Sequence, residues 1–383
     1  MTGREPDTTA VTGGRDGSGS LAPALWPSTT WQTTGVAASR EAALAIHKTG
    51  NYARYANPTV RAFEQAIAEL EGAGDALAFS SGMGAIASTI LALCSSGDHI
   101  VAQRQLYGGT HAFLTGPCAR LGIEVTLVDG FQPGAFAAAV RPGSTMLVIA
   151  ESPSNPLLGI VDLDDIGAIR GPYTVVDSTL ATPLGASPLR HGVSLVLHSA
   201  TKGIAGHNDA MLGVVAGDTD IIDALWGYSV LHGATASPYD AYNALRGMRT
   251  LAVRHDRQCD TALAIARFLH ERDEVVAVHY PGFTSHPHHE LATRQMRRYG
   301  SLLSFELRGG APAAETLVSR LSLIRPAVSL GGPETLICHP ASSTHVGLDD
   351  DGRQLAGATE GLLRLSTGLE AASDLVADLA SAF

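Results

Sequence analysis

The chain has 383 residues, of which 45% are hydrophobic and only 16% charged; this provides for one large and one smaller folded unit and excludes a disordered chain. Its formal net charge of −11 gives no electrostatic reason to follow a phosphate backbone, so nucleic acid is excluded as a partner. Cys94, Cys118, Cys259 and Cys338 show no CxxC spacing and read as free thiols of a reducing, cytoplasmic compartment, with neither a disulfide frame nor a metal site.

The N-terminus lacks an apolar h-region, so no signal peptide is expected. Met1 to Ser20 is polar and Gly-rich and is expected to be mobile at its start. The prolines of Ala22–Trp31 oppose a helix, and Arg40 to Thr49 is a short helix candidate. Asn51–Thr59 is a turn that opens a helix running through Glu71. From there strands and helices alternate. Strands are expected at Ala76–Phe79, His99–Ala102, Glu124–Val128, Met146–Ala150, Tyr173–Asp177, Val193–His198 and Leu212–Ala216, with helices at Gly84–Leu93 and Thr110–Leu121. That alternation predicts a mostly parallel sheet covered on both faces. The uncharged run Ala76–Gly97 has the length of a membrane span, but Ser80-Ser-Gly-Met-Gly84 interrupts it, and a strand, a turn and a helix account for it better. Beyond Arg246–Arg249 a long helix, Thr250–His270, leads into a smaller α+β region with strands at Val275–His279, Leu302–Leu307 and Leu323–Ser329, closed by a helix at Ala371–Ala382.

Chemistry concentrates at the ends of the expected strands. His198-Ser-Ala-Thr-Lys-Gly-Ile-Ala-Gly-His-Asn-Asp209 follows a buried strand and sets Lys202 among hydroxyls and glycines. Desolvation there would lower the lysine pKa and make it a nucleophile or base. Taken alone, the stretch reads better as a solvated loop lysine, since most lysines are solvated; the rest of the chain reverses that. Phe79-Ser-Ser-Gly-Met-Gly84 joins a strand to a helix whose N-terminus can bind phosphate, although many such turns use Ser and Gly for backbone reasons only. Neither GxxxxGK[ST] nor GxGxxG after a strand is present, so nucleoside triphosphate and dinucleotide readings lack their signature. Asp177 ends a buried strand, as an ordinary turn residue or as a partner for a protonated ring nitrogen. A lysine, an aspartate and a phosphate-type turn on nearby strand ends are what pyridoxal phosphate requires.

Asn57-Pro-Thr59, Ser81-Gly-Met83, Leu106–Thr110, Glu151-Ser-Pro-Ser-Asn-Pro156, Val176–Thr179 and His198–Lys202 together resemble the Cys/Met-metabolism pyridoxal phosphate enzymes, the cystathionine γ-synthase/γ-lyase and methionine γ-lyase family. The likeness continues through Arg246–Leu251, Tyr280-Pro-Gly282, Ser285–Pro287, Ser329–Gly332, His339–Ala341 and Arg364–Glu370, in order, from about residue 20 onward. It implies an α/β protein of pyridoxal phosphate-dependent transferase fold type I, with a mostly parallel sheet in the large domain and a smaller α+β C-terminal domain. The implied divisions are an arm at 1–54, the cofactor domain at 55–250 and the small domain at 251–383.

By the same resemblance, Lys202 carries the cofactor, Asp177 pairs with its ring nitrogen and Tyr107 stacks on the ring. Ser81, Gly82, Met83, Ser199 and Thr201 take the phosphate, and Tyr52 and Arg54 complete the phosphate site of a neighbouring subunit. A homo-oligomer, a dimer of dimers, is therefore implied. Asn155 is implied near the cofactor hydroxyl, and Arg364 with Ser329 at the substrate carboxylate; without the resemblance Arg364 is an ordinary salt-bridge residue. Trp26 is expected near the site entrance. His286, His288 and His289 suggest a metal cluster by composition, but a surface loop is the better reading.

The implied reaction is γ-elimination, with Lys202 moving the Cα proton and Tyr107 serving the leaving group. Family members that handle cystathionine place charged residues against the distal end of the substrate. The matching positions here are Asn51, Ala112 and Val328, none of which can pair with an ammonium or carboxylate. Val328-Ser329 and Thr110-His-Ala-Phe113 resemble methionine γ-lyase, but the cysteine those enzymes carry two residues after the stacking tyrosine is Gly109 here. The substrate expected is a small L-amino acid with an apolar γ-leaving group. The alternatives are a γ-substituted or halogenated amino acid of a specialised pathway, and γ-replacement by an O-acyl-homoserine sulfhydrylase or synthase.

Overall fold

The structure, a computed structural model, describes residues 4–383 apart from Asp16, Ser18, Lys48, Asp349 and the Asp351 side chain. The first helix, α1 (Pro6–Thr12), lies within the polar, Gly-rich N-terminal stretch, and Ala10 is buried in one apolar cluster with Val60, Phe63 and Ala66. Met1 to Gly3 lie outside the described residues. The next helix, α2 (Val36–Leu44), begins and ends earlier than the expected Arg40–Thr49, and Lys48 of that span is outside the description. Helix α3 (Pro58–Glu71) starts where the Asn57 side chain accepts the Thr59 and Val60 amides. The same Asn57 donates to the Trp26 carbonyl at 2.8 Å, and Trp26 N donates to Thr59 Oγ1 at 2.8 Å, so one cap also fastens the extended arm.

Seven strands follow: β1 (Asp75–Phe79), β2 (His99–Gln103), β3 (Glu124–Val128), β4 (Thr145–Glu151), β5 (Tyr173–Asp177), β6 (Leu195–Ser199) and β7 (Gly213–Gly217). They form one sheet in the order β1-β7-β6-β5-β4-β2-β3, in which β7 is antiparallel to both neighbours and the other pairings are parallel. Period-two alternation fills both faces. On β1, Ala76 and Ala78 enter one apolar cluster, while Leu77 and Phe79 enter the other. Helix α4 (Gly82–Leu93) leaves the end of β1, and α5 (Gly108–Phe113) leaves the loop after β2. The expected Thr110–Leu121 helix continues from α5 as a wide π turn, Leu114–Cys118, because Pro117 has no amide to give a regular ladder.

A second sheet has the order β10-β11-β12-β9-β8, built from β8 (Val275–His279), β9 (Leu302–Leu307), β10 (Arg325–Pro326), β11 (Leu336–Cys338) and β12 (Leu362–Ser366). The helices Leu251–His270 and Ala372–Ala382 cover it with Ala262, Ile265, Leu269, Leu375 and Leu379. The expected Leu323–Ser329 strand shrinks to two residues. Ser329 takes a φ of +102°, which turns the chain out of the sheet. Among the described residues no helix is long and apolar enough to cross a membrane.

Candidate active site

Parallel pairing brings the carboxyl ends of β4, β5 and β6 to one edge, where Glu151 is opposite Asp177 and Asp177 opposite Leu197. The second sheet faces that edge through β12. Between them is a cavity of about 370 Å³ lined by Ser81, Gly82, Met83, Tyr107, Glu151, Asn155, Asp177, Ser199, Thr201, Lys202, Val328, Ser329 and Arg364, with Ile86, Thr179, Leu180, Met211, Leu330 and Thr344. A roomier cleft of about 470 Å³, near Phe131, Asp162 and Arg294, gathers no lysine or strand-end carboxylate pair.

At the helix end of the cavity, Ser81 caps α4 by accepting the Gly84 amide at 2.9 Å. Glycine is required next to it: a Cβ on Gly82 would lie 2.8 Å from the Ser199 Cβ, and one on Gly213 would lie 2.1 Å from the Ser81 carbonyl oxygen. This close approach leaves amides of the first turn of α4 beside the Ser199 hydroxyl, a cradle for an anion. The Thr201 hydroxyl lines the same cavity but is engaged by Leu212, accepting its amide at 2.9 Å and donating to its carbonyl at 3.2 Å.

At the centre, Lys202 Nζ donates to Ser329 Oγ at 2.9 Å. Burial, and then the Arg364 charge, push the Lys202 pKa below its ordinary value, which favours the nucleophilic free amine. Asp177 Oδ1 accepts the Thr179 amide at 3.0 Å and hydroxyl at 2.5 Å. Among the described residues no donor reaches its other oxygen. Burial raises the Asp177 pKa, and the Thr179 bonds oppose the rise. Arg364, 3% exposed on β12, donates from Nη1 to Asn155 Oδ1 and from Nη2 to the Ser329 carbonyl, both at 2.9 Å; its Nε is buried and has no partner among the described residues.

Sequence reasoning quoted Glu151 within a motif but gave it no role. It is 2% exposed, accepts the Tyr107 amide at 2.7 Å on Oε2 and the Asn155 amide at 3.0 Å on Oε1. Burial and then the Asp177 charge push its pKa up, and the Tyr107 and Asn155 amides and the Arg364 charge oppose the rise and favour the carboxylate. Its place four residues before Asn155 in the same motif is a local signal; the link to Tyr107 spans 44 positions.

Five expected residues are not brought to this cavity within one chain. The Asn51 carbonyl accepts the Trp31 amide at 3.0 Å, and Ala112 is exposed on α5. Arg54 lies over the Tyr52 and Tyr55 rings and donates to the Val230 carbonyl, and Tyr52 is exposed. Trp26 sits in the arm on α3. The surface-loop reading of the three histidines is corrected: His286 is buried, its Nδ1 accepts the His288 amide at 3.2 Å, and His288 Nδ1 accepts the Ile160 amide at 3.1 Å. These rings serve backbone groups; among the described residues no cluster of three His, Cys, Asp or Glu is arranged for a metal.

A lysine amine, a carboxylate with a free oxygen one strand away and an anion cradle fit pyridoxal phosphate, and they define a pyridoxal phosphate-dependent enzyme of fold type I. Residues 7–383 match the family model described as Cys/Met metabolism PLP-dependent enzyme, and the chain belongs to that family. Pyridoxal phosphate is its cofactor, and it is a lyase of that cofactor class. It is 43% identical over 334 residues to an L-methionine gamma-lyase of Fusobacterium nucleatum subsp. polymorphum, covering 86% of this chain and 84% of that protein. It is 39% identical to an O-succinylhomoserine sulfhydrylase of Pseudomonas aeruginosa, covering 98% and 94% of the two chains. Its fold matches a crystal structure of cystathionine gamma synthase from Xanthomonas oryzae pv. oryzae with a TM-score of 0.93 at 38% identity, covering 100% of this chain and 98% of that one.

Proposed function

We propose that the chain catalyses γ-elimination on a small L-amino acid with an apolar γ-leaving group, of the methionine type. With methionine, this consumes water and yields 2-oxobutyrate, ammonia and methanethiol. One observation carries the reading: among the described residues, the only charged ones lining the cavity are Glu151, Asp177, Lys202 and Arg364. Glu151 is occupied by backbone amides, and the other three have work at the cofactor or the substrate carboxylate. No charge is left for the distal ammonium or carboxylate of a longer substrate, and an unpaired buried charged group costs at least about 1–3 kcal/mol. Met83, Met211, Val328 and Leu330 supply apolar wall instead.

The geometry supports the following residue roles. Arg364 exchanges its Asn155 and Ser329 acceptors for the substrate carboxylate, a fork suited to bidentate binding. The Lys202 amine takes the Cα proton, and its lowered basicity keeps it available as the free base. Tyr107, at the rim, gives a proton to the departing γ-group. Pyridoxal phosphate, when bound, supplies the sink for the electron pair left at Cα. Asp177 holds the ring nitrogen with the oxygen that Thr179 leaves free, and Ser81, Gly82, Met83, Ser199 and Thr201 surround the phosphate. Among the described residues, Lys202 and Arg364 are the only cations on the cavity lining, and both have other work, so the phosphate lacks a cation of its own within one chain. Arg54 of a neighbouring subunit supplies that charge, with the Tyr52 hydroxyl beside it, in a dimer or a dimer of dimers. Residues 1–54 then form the reaching arm, with cofactor and small domains at 55–250 and 251–383.

A specialised γ-substituted or halogenated substrate would fit the same wall. γ-Replacement is the second reading, supported by the sulfhydrylase relative. Ammonia release without any added thiol separates the two. Elimination predicts stoichiometric ammonia and 2-oxo acid from a γ-substituted substrate alone; a sulfhydrylase would release little of either until a thiol is supplied, and would then release a new thioether.

A further inference from the structure

Glu151 stands at the end of β4 with both oxygens committed to backbone amides of two different segments. One is the Tyr107 amide at 2.7 Å, at the start of α5; the other is the Asn155 amide at 3.0 Å. Asn155 in turn accepts from Arg364 Nη1 at 2.9 Å, and Arg364 Nη2 donates to the carbonyl of Ser329, whose hydroxyl accepts from Lys202. The backbone that carries this carboxylate is held by Gln103, whose Oε1 accepts the Glu151 main-chain amide at 2.9 Å. A buried carboxylate shared between two amides fixes the distance between the segments that carry them.

We propose that Glu151 is a positioning residue that holds Tyr107 and the Asn155–Arg364 pair in one register, so that the substrate carboxylate and the leaving group are placed by a single carboxylate that touches neither. This rests on the reading of the Lys202 cavity as the cofactor and substrate site. Glutamine at 151 keeps the shape but offers one acceptor oxygen. Its amide nitrogen must then face either the Tyr107 or the Asn155 amide, donor against donor, and that segment is released. A displacement of about 1 Å in a reacting group can cost about 100-fold in rate.

The test uses the holoenzyme with Glu151→Gln, Glu151→Asp, Tyr107→Phe, and Glu151→Gln combined with Tyr107→Phe. Bound cofactor is measured by absorbance. Glycine, which has no γ-group, is titrated by the change in that absorbance and reports the carboxylate site alone. For Glu151→Gln we expect wild-type cofactor content, glycine binding weakened about 10-fold and kcat for γ-elimination lowered about 10- to 100-fold. The kcat losses of Tyr107→Phe and Glu151→Gln should combine less than multiplicatively, a result that a purely structural role would not give. Values for Glu151→Gln within twofold of wild type, or fully multiplicative losses, overturn the proposal. If Glu151→Gln does not fold, Glu151→Asp, which keeps both oxygens a methylene short, decides by the same criteria. If neither variant folds with cofactor, Glu151 is a folding residue and the proposal fails. Weakened glycine binding in a protein that does not eliminate a γ-substituent would count against the functional reading alone.

Discussion

Lys202 Nζ and Ser329 Oγ meet at 2.9 Å across the junction of the two sheets, and Ser329 reaches that position with a φ of +102°. A non-glycine residue in this region stores strain of order 1–3 kcal/mol, held here by the surrounding bonds. The Gly331 amide donates to Ser366 Oγ at 3.0 Å, and the Ser329 carbonyl accepts Arg364. Strain in the loop thus serves to bring a hydroxyl to the lysine. Ser329→Gly should stabilise the fold by about 1 kcal/mol through relief of that strain, a rise in melting temperature of about 1 °C for a chain of this length. It should also lower kcat/KM about 10-fold or more, because the lysine loses its partner. Ser329→Ala should show the activity loss without the stabilisation. A fully active Ser329→Gly would contradict the assignment of the hydroxyl to Lys202.

Sharing of sites between subunits is tested by complementation. Arg54→Ala and Lys202→Ala should each be inactive or nearly so as homo-oligomers. Mixed and refolded together, they form some interfaces in which one site has both an intact Lys202 and an intact Arg54 from the neighbour. Activity should return on mixing. If the mixture stays as inactive as its parts, Arg54 acts within its own chain.

Acid stability follows from three buried histidines. His255, His286 and His345 are 3%, 6% and 1% exposed, and burial pushes each pKa down to about 4 from an ordinary 6.5. The folded form therefore binds fewer protons than the unfolded chain between those values. Their contribution is present above pH 6.5 and lost as the pH falls toward 4. A fully buried one such as His255 contributes on the order of 3 kcal/mol across that window. Urea unfolding at pH 7.5 and pH 5 should show a marked loss at the lower pH, and His255→Gln should make the loss smaller. Equal slopes for the variant and wild type would remove His255 from this account.

Much of the framework was legible because its signals are local. Tyr173–Asp177, Val275–His279 and Leu302–Leu307 are short apolar runs between turn residues, and their bounds agree with the expected ones. The lysine and the aspartate at strand ends came from the same pattern. What failed was set by tertiary contact. Helix α1 is polar in sequence and owes its place to Ala10 packing on α3. Leu323–Ser329 has strand composition, but the turn at Ser329 diverts it into the active site. The role of Glu151 exists only once β4 and the start of α5 are side by side. Gly109, read as a lost cysteine, has a steric meaning as well: a Cβ there would lie 2.6 Å from the Tyr107 ring and 3.0 Å from Met83 Sδ.

The measurement that bears most directly on the function is 2-oxobutyrate formation from L-methionine and from L-cystathionine by the same holoenzyme preparation. The uncharged wall at Met211, Val328 and Leu330 predicts kcat/KM for methionine at least about 10-fold above that for cystathionine, the ratio set by one unpaired charge at about 1.4 kcal/mol. Cystathionine turned over as well as methionine, or better, would contradict the apolar γ-lyase reading.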